Sequence, residues 1–145
     1  RDVSFAELRM SPAILIGGES NVWTQPLTTE LRFYFSPDAQ GMGIRDRTQP
    51  ALRWPPAGSD QKTDDYAIVS RILNSKTDRA LVFLGGRSQS GTQAAGELVT
   101  HEGPLSQALA KAPKDWARKN VQLVIRTHVH GLTPSSPEIL AAHFW

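Results

Sequence analysis

The sequence contains no cysteine, and this absence excludes several kinds of chemistry. Without a thiol the chain cannot form a disulfide scaffold, a thiolate zinc site or a cysteine nucleophile. A chain without disulfides also fits a reducing compartment, and we therefore expect a cytoplasmic location.

Long apolar runs and a large excess of one charge are also lacking. No run approaches the roughly 20 apolar residues that a membrane-spanning helix requires. The net charge of +2 is too small to indicate direct binding to nucleic acid. The basic residues within 111–119 are interpreted as a solvated helix end, where cations interact favourably with the helix dipole. We accordingly expect neither a membrane segment nor direct contact with nucleic acid.

The remaining composition is typical of one globular domain. Hydrophobic residues make up 39% and charged residues 21% of the 145 positions, which is enough apolar material to form a core. Because the chain begins with Arg1 and not with Met, we expect residues 1–145 to be a single domain of a longer protein. Its partners would then include the other domains of that protein.

Apolar runs separated by glycine-rich or polar turns predict a mixed β-sheet. Two continuous runs, 13–16 and 80–84, are typical of strands buried on both faces, and we expect them to be parallel neighbours. The five-residue turn at 74–78 predicts an antiparallel hairpin. The alternation over 121–130 predicts a strand with one apolar and one mostly polar face.

Three helices are expected to pack on this sheet. Their predicted positions are near 24–32, over 92–99 and from Pro104 onward. The fold class predicted from this order is α/β: a three-layer Rossmann-like domain with a mixed sheet, helices packed on it and antiparallel hairpins. The third helix would face the sheet with a stripe of Leu105, Leu109, Ala112 and Trp116.

Two segments share a layout that predicts a binding site. Each has an apolar strand, two glycines, hydroxyl or amide residues, and the start of a helix. Glycine lets the backbone approach a ligand, and the unpaired N–H groups at a helix start attract anions. If the strands are neighbours, both loops open onto one crevice, where Arg87 would contact a phosphate or carboxylate. The candidate ligand-binding residues are Gly17, Gly18, Ser20, Asn21, Gly85, Gly86, Arg87, Ser88, Ser90, Gly91 and Thr92.

A plainer alternative is that these glycines only make tight turns between strand and helix. Neither segment is a Walker loop or a Gly-x-Gly-x-x-Gly fingerprint. The sequence therefore leaves both interpretations open.

Other candidate residues carry weaker signals. Glu97 lies on the helix after the second glycine loop. Its carboxylate is either a general acid or base or a solvated helix side chain, and the sequence leaves both interpretations open. His128 and His130 would supply half of a metal site, but no third ligand is evident, so we expect no metal and no cofactor. We interpret 64–65 as a turn cap and 45–47 as a surface ladder of alternating charge.

Several of these motifs together resemble a bacterial domain family of uncharacterised activity, over nearly the whole chain. That resemblance implies that the chain is the C-terminal part of a larger protein, which in some members has an N-terminal helix-turn-helix or other signalling module. It therefore implies a regulatory or sensor role. The motifs that carry it are Ile14-Leu15-Ile16-Gly17-Gly18, Asn21-x-Trp23-Thr24, Leu31-Arg32-Phe33, Asp65-Tyr66-Ala67-Ile68-Val69-Ser70-Arg71-Ile72 and Gly91-Thr92-x-Ala94-Ala95-Gly96-Glu97-x-x-Thr100.

The chain is more distantly similar to Rossmann-like nucleotide-processing domains of the lysine-decarboxylase-like phosphoribohydrolases. Their motif is Pro-Gly-Gly-x-Gly-Thr-x-x-Glu. Here four residues separate Gly86 from Gly91, Ala95 stands at the glutamate position, and Glu97 comes two positions late. This likeness implies nucleotide or phosphate binding more than it implies hydrolysis.

The leading functional hypothesis is a ligand-sensing or regulatory domain that binds an anionic small molecule of the nucleotide type. Whether the chain is an enzyme stays open, with a binding role favoured. The alternatives are a nucleotide-processing hydrolase that uses Glu97, or a protein-interaction module without a small ligand.

Overall fold

The fold combines two β-sheets with four helices, described by a computed structural model for residues 2–59, 62–131 and 133–145. None of the helices in these ranges is long and apolar enough to cross a membrane. The helices are α1 (Phe5–Leu8), α2 (Thr24–Thr28), α3 (Gln89–Thr100) and α4 (Glu102–Ala108), with a 3-10 turn at Trp116–Arg118. The strands are β1 (Ala13–Ile16), β2 (Phe33–Asp38), β3 (Gly41–Asp46), β4 (Arg53–Trp54), β5 (Asp64–Ile72), β6 (Leu81–Gly86), β7 (Val121–His130), β8 (Thr133–Pro134) and β9 (Glu138–Phe144).

The larger sheet has the strand order β1-β6-β5-β7, and both β8 and β9 pair with β7. Strands β1 and β6 run parallel, from the pair Ala13–Leu81 to the pair Ile16–Leu84, which confirms the predicted neighbours. Strands β5 and β6 form the predicted antiparallel hairpin, and β7 pairs antiparallel with β5 and β9. The mixed sheet is therefore as expected.

The two faces of this sheet are covered by different structures. One face packs against a second, antiparallel sheet of β2, β3 and β4, as in the edge-to-face contact of Phe35 with Phe83. The other face packs against α3 through Ala94, Ala95 and Leu98. The chain is thus α/β, but a Rossmann-like arrangement with helices on both faces is not confirmed, because the small sheet covers one of them.

A buried glutamine joins the two sheets. The Gln122 side chain, fully enclosed on β7, accepts a hydrogen bond from Phe33 N at 2.9 Å and donates one to Phe33 O at 3.0 Å. Its amide also donates to Ser70 Oγ at 3.1 Å. The predicted polar face of β7 is therefore divided: Gln122 and Val124 lie buried under the second sheet, whereas His128 and His130 further along the same face are exposed.

Strand β1 also differs from its prediction. Only Leu15 is buried, whereas Ile14 and Ile16 are 66% and 62% exposed. Helix α3 lies over β6, β5 and β7 and leaves this edge strand uncovered on the helix side. The prediction that 13–16 is buried on both faces is therefore wrong.

The third predicted helix is shorter than expected. Helix α4 ends at Ala108, and Pro113 lies in the turns that lead to the 3-10 segment. Leu105, Leu109 and Trp116 are consequently only half-buried. They face the sheet across an apolar cavity.

The expected surface ladder at 45–47 contains a buried ion pair. Asp46 is 2% exposed and accepts hydrogen bonds from Arg32 Nε at 3.0 Å and Arg32 Nη2 at 2.9 Å. Burial opposes ionisation, but the hydrogen bonds from Arg32 and Thr48 outweigh it and lower the pKa of Asp46 to about 2. This pair ties the start of β2 to the end of β3.

We expect Gln122→Leu to lower the free energy of unfolding by about 2 kcal/mol or more, because both backbone groups of Phe33 lose their partner in a buried place. Urea titration of both proteins measures the loss. The matched control is Gln93→Leu, since Gln93 is exposed and its side chain bonds to Glu97 on the same helix. A Gln122→Leu protein as stable as the control would contradict this role.

The ion pair of Asp46 predicts a pH dependence of stability. Its pKa lies below the usual 3.8, so the folded state gains stability above that value and loses it as the pH falls toward 2. Relative to Asp46→Asn, the wild type should be more stable by about 2 kcal/mol at neutral pH, and the difference should shrink between about pH 4 and pH 2. Unfolding curves across this range test it, and a constant difference would contradict it.

Candidate functional site

The parallel pair β1 and β6 brings the two glycine loops to one end of the sheet. There they form a cleft of about 500 Å³. Residues of both loops line this cleft, as the sequence predicts for neighbouring parallel strands. The cleft is lined by Ile16, Gly17, Gly18, Glu19, Ser20, Gly86, Arg87, Ser88, Gln89 and Thr92.

The glycines allow the two loops to pack backbone against backbone. A Cβ on Gly18 would lie 2.6 Å from the carbonyl oxygen of Gly86, and one on Gly86 would lie 2.3 Å from the amide nitrogen of Thr92. A Cβ on Gly85 would lie 3.0 Å from the Cα of Gly18. The space beside these three glycines is therefore filled by the neighbouring backbone, and the cleft lies outside that contact.

The first loop is held by its own side chains. Asn21 donates from Nδ2 to Ile16 O at 3.1 Å and accepts at Oδ1 from Trp23 N at 2.9 Å. The buried Thr24 hydroxyl donates to Gly17 O at 2.8 Å. Helix α2, which follows, has only five residues. This loop therefore offers a shaped backbone, without the long helix that the sequence predicts after it.

The second loop is organised by Asp65, at the start of β5. This carboxylate is 5% exposed and accepts a hydrogen bond from Gly91 N at 2.6 Å and another from the Ser88 hydroxyl. It also accepts from Tyr66 N at 2.9 Å. Asp65 thus caps the N-terminus of α3 from a distant strand, where a negative charge is favourable. Of the turn cap predicted at 64–65, Asp65 instead caps this helix, and Asp64 pairs with His128.

Two amides of α3 remain available to a ligand. The Thr92 amide bonds to Ser88 O, while the amides of Gln89 and Ser90 have no hydrogen-bond partner within the described ranges. The Thr92 hydroxyl accepts from Gly86 N at 2.9 Å and so joins the loop to the helix. Because Glu19 also lines the cleft, the positive potential there is weaker than a helix start alone would give.

Arg87 lines both the first cleft and a second one of about 510 Å³. Its Nε donates to the carbonyl of Met42, at the tip of the β2–β3 hairpin. Burial raises the pKa of Tyr66, and the charge of Asp64 adds a smaller effect in the same direction. The charge of Arg87 acts in the opposite direction. The second cleft is lined by Gln40, Gly41, Met42, Lys62, Asp64, Asp65, Arg87, Ser88, Ser90 and Val129.

The predicted residues therefore divide into two groups. Gly17, Gly18, Ser20, Gly86, Arg87, Ser88 and Thr92 line the first cleft, and Ser90 lines the second. Asn21, Gly85 and Gly91 line neither and have structural contacts instead.

Sequence reasoning missed Asp65, Glu19 and the hairpin tip at 40–42 as parts of this region. Asp65 carried no local signal, since its partners are 23 and 26 residues away.

The weaker candidates lie elsewhere. Glu97 is on α3, about two turns beyond its start, lines neither cleft and accepts a hydrogen bond from Gln93 at 3.0 Å. His128 pairs with Asp64. Within the part of the chain that the structure describes, no group of three or more His, Cys, Asp or Glu side chains is placed to hold a metal ion.

No protein-family model, curated protein or solved structure matches this chain.

Replacing Asp65 tests the organisation of the second loop. We expect Asp65→Ala to cost about 2 kcal/mol or more of stability, because the α3 cap is lost and buried donors lose a charged acceptor. Denaturant titration measures it, with Asp115→Ala as the control, since Asp115 is exposed and pairs with Lys119 at 3.7 Å on the surface. Equal stability of the two variants would rule out this role for Asp65.

Proposed function

We propose that this chain is a ligand-sensing or regulatory domain that binds an anionic small molecule, of the phosphate or nucleotide class, in the first cleft. The observation that carries the proposal is the convergence of both loops on one concave surface at the end of a parallel strand pair. Ligands of open α/β sheets commonly occupy this position. The cleft volume of about 500 Å³ fits a nucleotide-sized molecule.

The polar groups that line the cleft support an anionic ligand. Arg87 supplies a guanidinium, and the amide of Gln89 adds a donor at the start of α3. Ser20 adds a hydroxyl from the opposite loop. Asp65 and Glu19 reduce the positive potential, so we expect modest affinity, as suits a sensor that releases its ligand.

The two alternatives have different support. A hydrolase that uses Glu97 has none from the cleft, because this carboxylate lines neither cavity. An interaction module is favoured by Ile14 and Ile16, which are exposed side by side on the uncovered edge strand. The carbonyl of Ile16 is already bonded to Asn21, which reduces the free edge available to an added strand.

Arg87→Gln tests the proposed site. Glutamine keeps a donor for the Met42 carbonyl but removes the positive charge, so we expect phosphate, pyrophosphate and AMP to bind about tenfold more weakly or worse, with the fold intact. Isothermal titration measures affinity and circular dichroism checks folding. The control is Arg45→Gln, because Arg45 lies on β3 and lines neither cleft.

Saturable binding by the wild type and the Arg45→Gln control, with loss in Arg87→Gln, would support the proposal. If none of the three probes binds the wild type, or if both variants bind them equally, the proposal fails.

A further inference from the structure

A groove lies between β9 and the end of α4, on the face of the larger sheet that α3 covers. It consists of two adjoining cavities of about 460 and 360 Å³, whose linings share Gln107, Ala108 and Ile139. The buried Leu98 of α3 lines the larger cavity. No residue of this groove lines either cleft beside the glycine loops, so an occupant of the groove is independent of the proposed function.

The backbone of β9 has an unpaired edge at this groove. Within the described ranges β9 pairs with β7 alone, and no turn or loop bonds to the backbone of Ala142 or Phe144. Asn120 and Trp145 exchange both backbone hydrogen bonds, at 2.8 and 3.2 Å. Because successive residues of an antiparallel strand face its partner alternately, the N–H and C=O groups of Ala142 and Phe144 point away from β7. Both residues line the groove, where this free edge is a template for an added strand.

The other edge of the larger sheet, β1, is less suited to strand addition. It has four residues, and its Ile16 carbonyl already accepts a hydrogen bond from Asn21. Strand β9 has seven residues, which span roughly 20 Å. It is therefore the longer edge, and the groove offers an added strand side-chain contacts as well as backbone partners.

The side chains of the groove differ at its two ends. Lys111 lines only the smaller cavity, together with Phe144, and is exposed. In the part of the chain that the structure describes, no carboxylate pairs with this lysine. The larger cavity has apolar surface from Pro104 and Ile139, and its Glu138 already pairs with an arginine of β7. A matching ligand therefore has apolar side chains and a negative charge at the Phe144 end.

We propose that this groove binds an extended peptide of a partner protein, which adds a strand to β9 and places an acidic residue beside Lys111. In strand addition the main-chain hydrogen bonds supply affinity, and pockets for alternate side chains supply specificity. The register shift beside Ile139 ends the regular edge, so the backbone bonds form along 141–144 and an apolar side chain enters the larger cavity. A helix bonds its own backbone and could not use this edge. We expect antiparallel pairing, with the N-terminal end of the peptide at Phe144.

The probe is the peptide acetyl-Thr-Glu-Thr-Val-Thr-Leu-Thr-amide, in which the acidic and the apolar side chains share one face of a strand. Isothermal titration with the intact chain measures its affinity, and chemical shifts in NMR spectra locate its site. We expect saturable binding, with shifts at Ala108, Ile139 and Ala142. No saturable binding, or shifts confined to other regions, would overturn the proposal.

Two N-methylated forms of the peptide test the backbone contacts. One is methylated at the nitrogens of its Val and Leu, and the other at the nitrogens of its two central Thr residues. Since alternate N–H groups of a strand face its neighbour, one form should bind about tenfold more weakly or worse, while the other binds like the parent peptide. Equal binding by the two forms would show that no strand is added to β9.

Ala142→Pro tests the same edge from the protein side. Proline removes an N–H that points away from β7, and an edge strand tolerates proline at such a position. We expect peptide binding to weaken about tenfold or more, with the fold intact by circular dichroism. The control Ala142→Ser keeps the N–H and should bind like the wild type. Unchanged binding by folded Ala142→Pro would contradict the proposal, and the N-methylated peptides decide the question if this variant fails to fold.

Lys111→Gln tests the acidic residue of the ligand. With the wild type, a peptide that has Gln in place of its Glu should bind about two- to fivefold more weakly, as expected for an exposed ion pair. This difference should vanish in Lys111→Gln and persist in Lys114→Gln, because Lys114 is exposed but lines neither cavity. The same difference in both variants would overturn the assigned charge.

A second copy of this chain is the competing occupant of the edge. Sedimentation equilibrium of the peptide-free chain should show a monomer at the concentrations used for titration. A dimer that Ala142→Pro dissociates would assign the edge to that copy and overturn the partner peptide.

Discussion

The hydrogen bonds of the Asp65 carboxylate determine how the candidate site is arranged. One buried side chain holds together the start of β5, the loop that carries Arg87 and Ser88, and the first turn of α3. A carboxylate at this depth is stable only because hydrogen bonds and the α3 dipole compensate for the lost water. The same arrangement uses part of the positive potential that a helix start offers. An anion in the first cleft would therefore depend mainly on Arg87 and the Gln89 amide.

The glycine pairs illustrate how one sequence pattern serves two physical needs. Their position at the ends of parallel strands correctly indicates where a cleft forms. The absent side chains, however, make room for the neighbouring backbone, because a Cβ on Gly18 would lie only 2.6 Å from the carbonyl oxygen of Gly86. Close loop packing and a ligand cleft are compatible here, since the packed backbones form the floor on which the cleft opens. The turn interpretation and the binding interpretation of these glycines are thus not exclusive.

Local patterns predicted most of the larger sheet but little of what links distant parts. The hairpin of β5 and β6 and the parallel pair of β1 and β6 follow from short runs and turns. The hydrogen bonds between Gln122 and Phe33 join residues that are 89 positions apart. Because no local pattern indicates such a contact, the sequence does not distinguish this buried glutamine from one that faces solvent. The exposure of Ile14 was also not predictable from local pattern, because an edge strand and a central strand can have the same apolar run. Seven of the eleven predicted residues line the first cleft, because its position depends on strand order, whereas Asp65 was missed because its contacts are long-range.

Arg71 explains why α4 and the segment after it pack only loosely on the larger sheet. Packing Leu105 and Leu109 directly on the sheet would remove more apolar surface from water, and burial of this kind is the main favourable term in folding. The sequence instead has an arginine on β5, whose guanidinium needs acceptors and takes them from the backbone at Trp116 and Lys119. Those bonds join β5 to the 3-10 segment beside the apolar cavity that Leu105, Leu109 and Trp116 line. A leucine at position 71 would leave these two carbonyls without the donors that they have now, so the arginine fixes the 3-10 segment while the apolar side chains under α4 stay only half-buried.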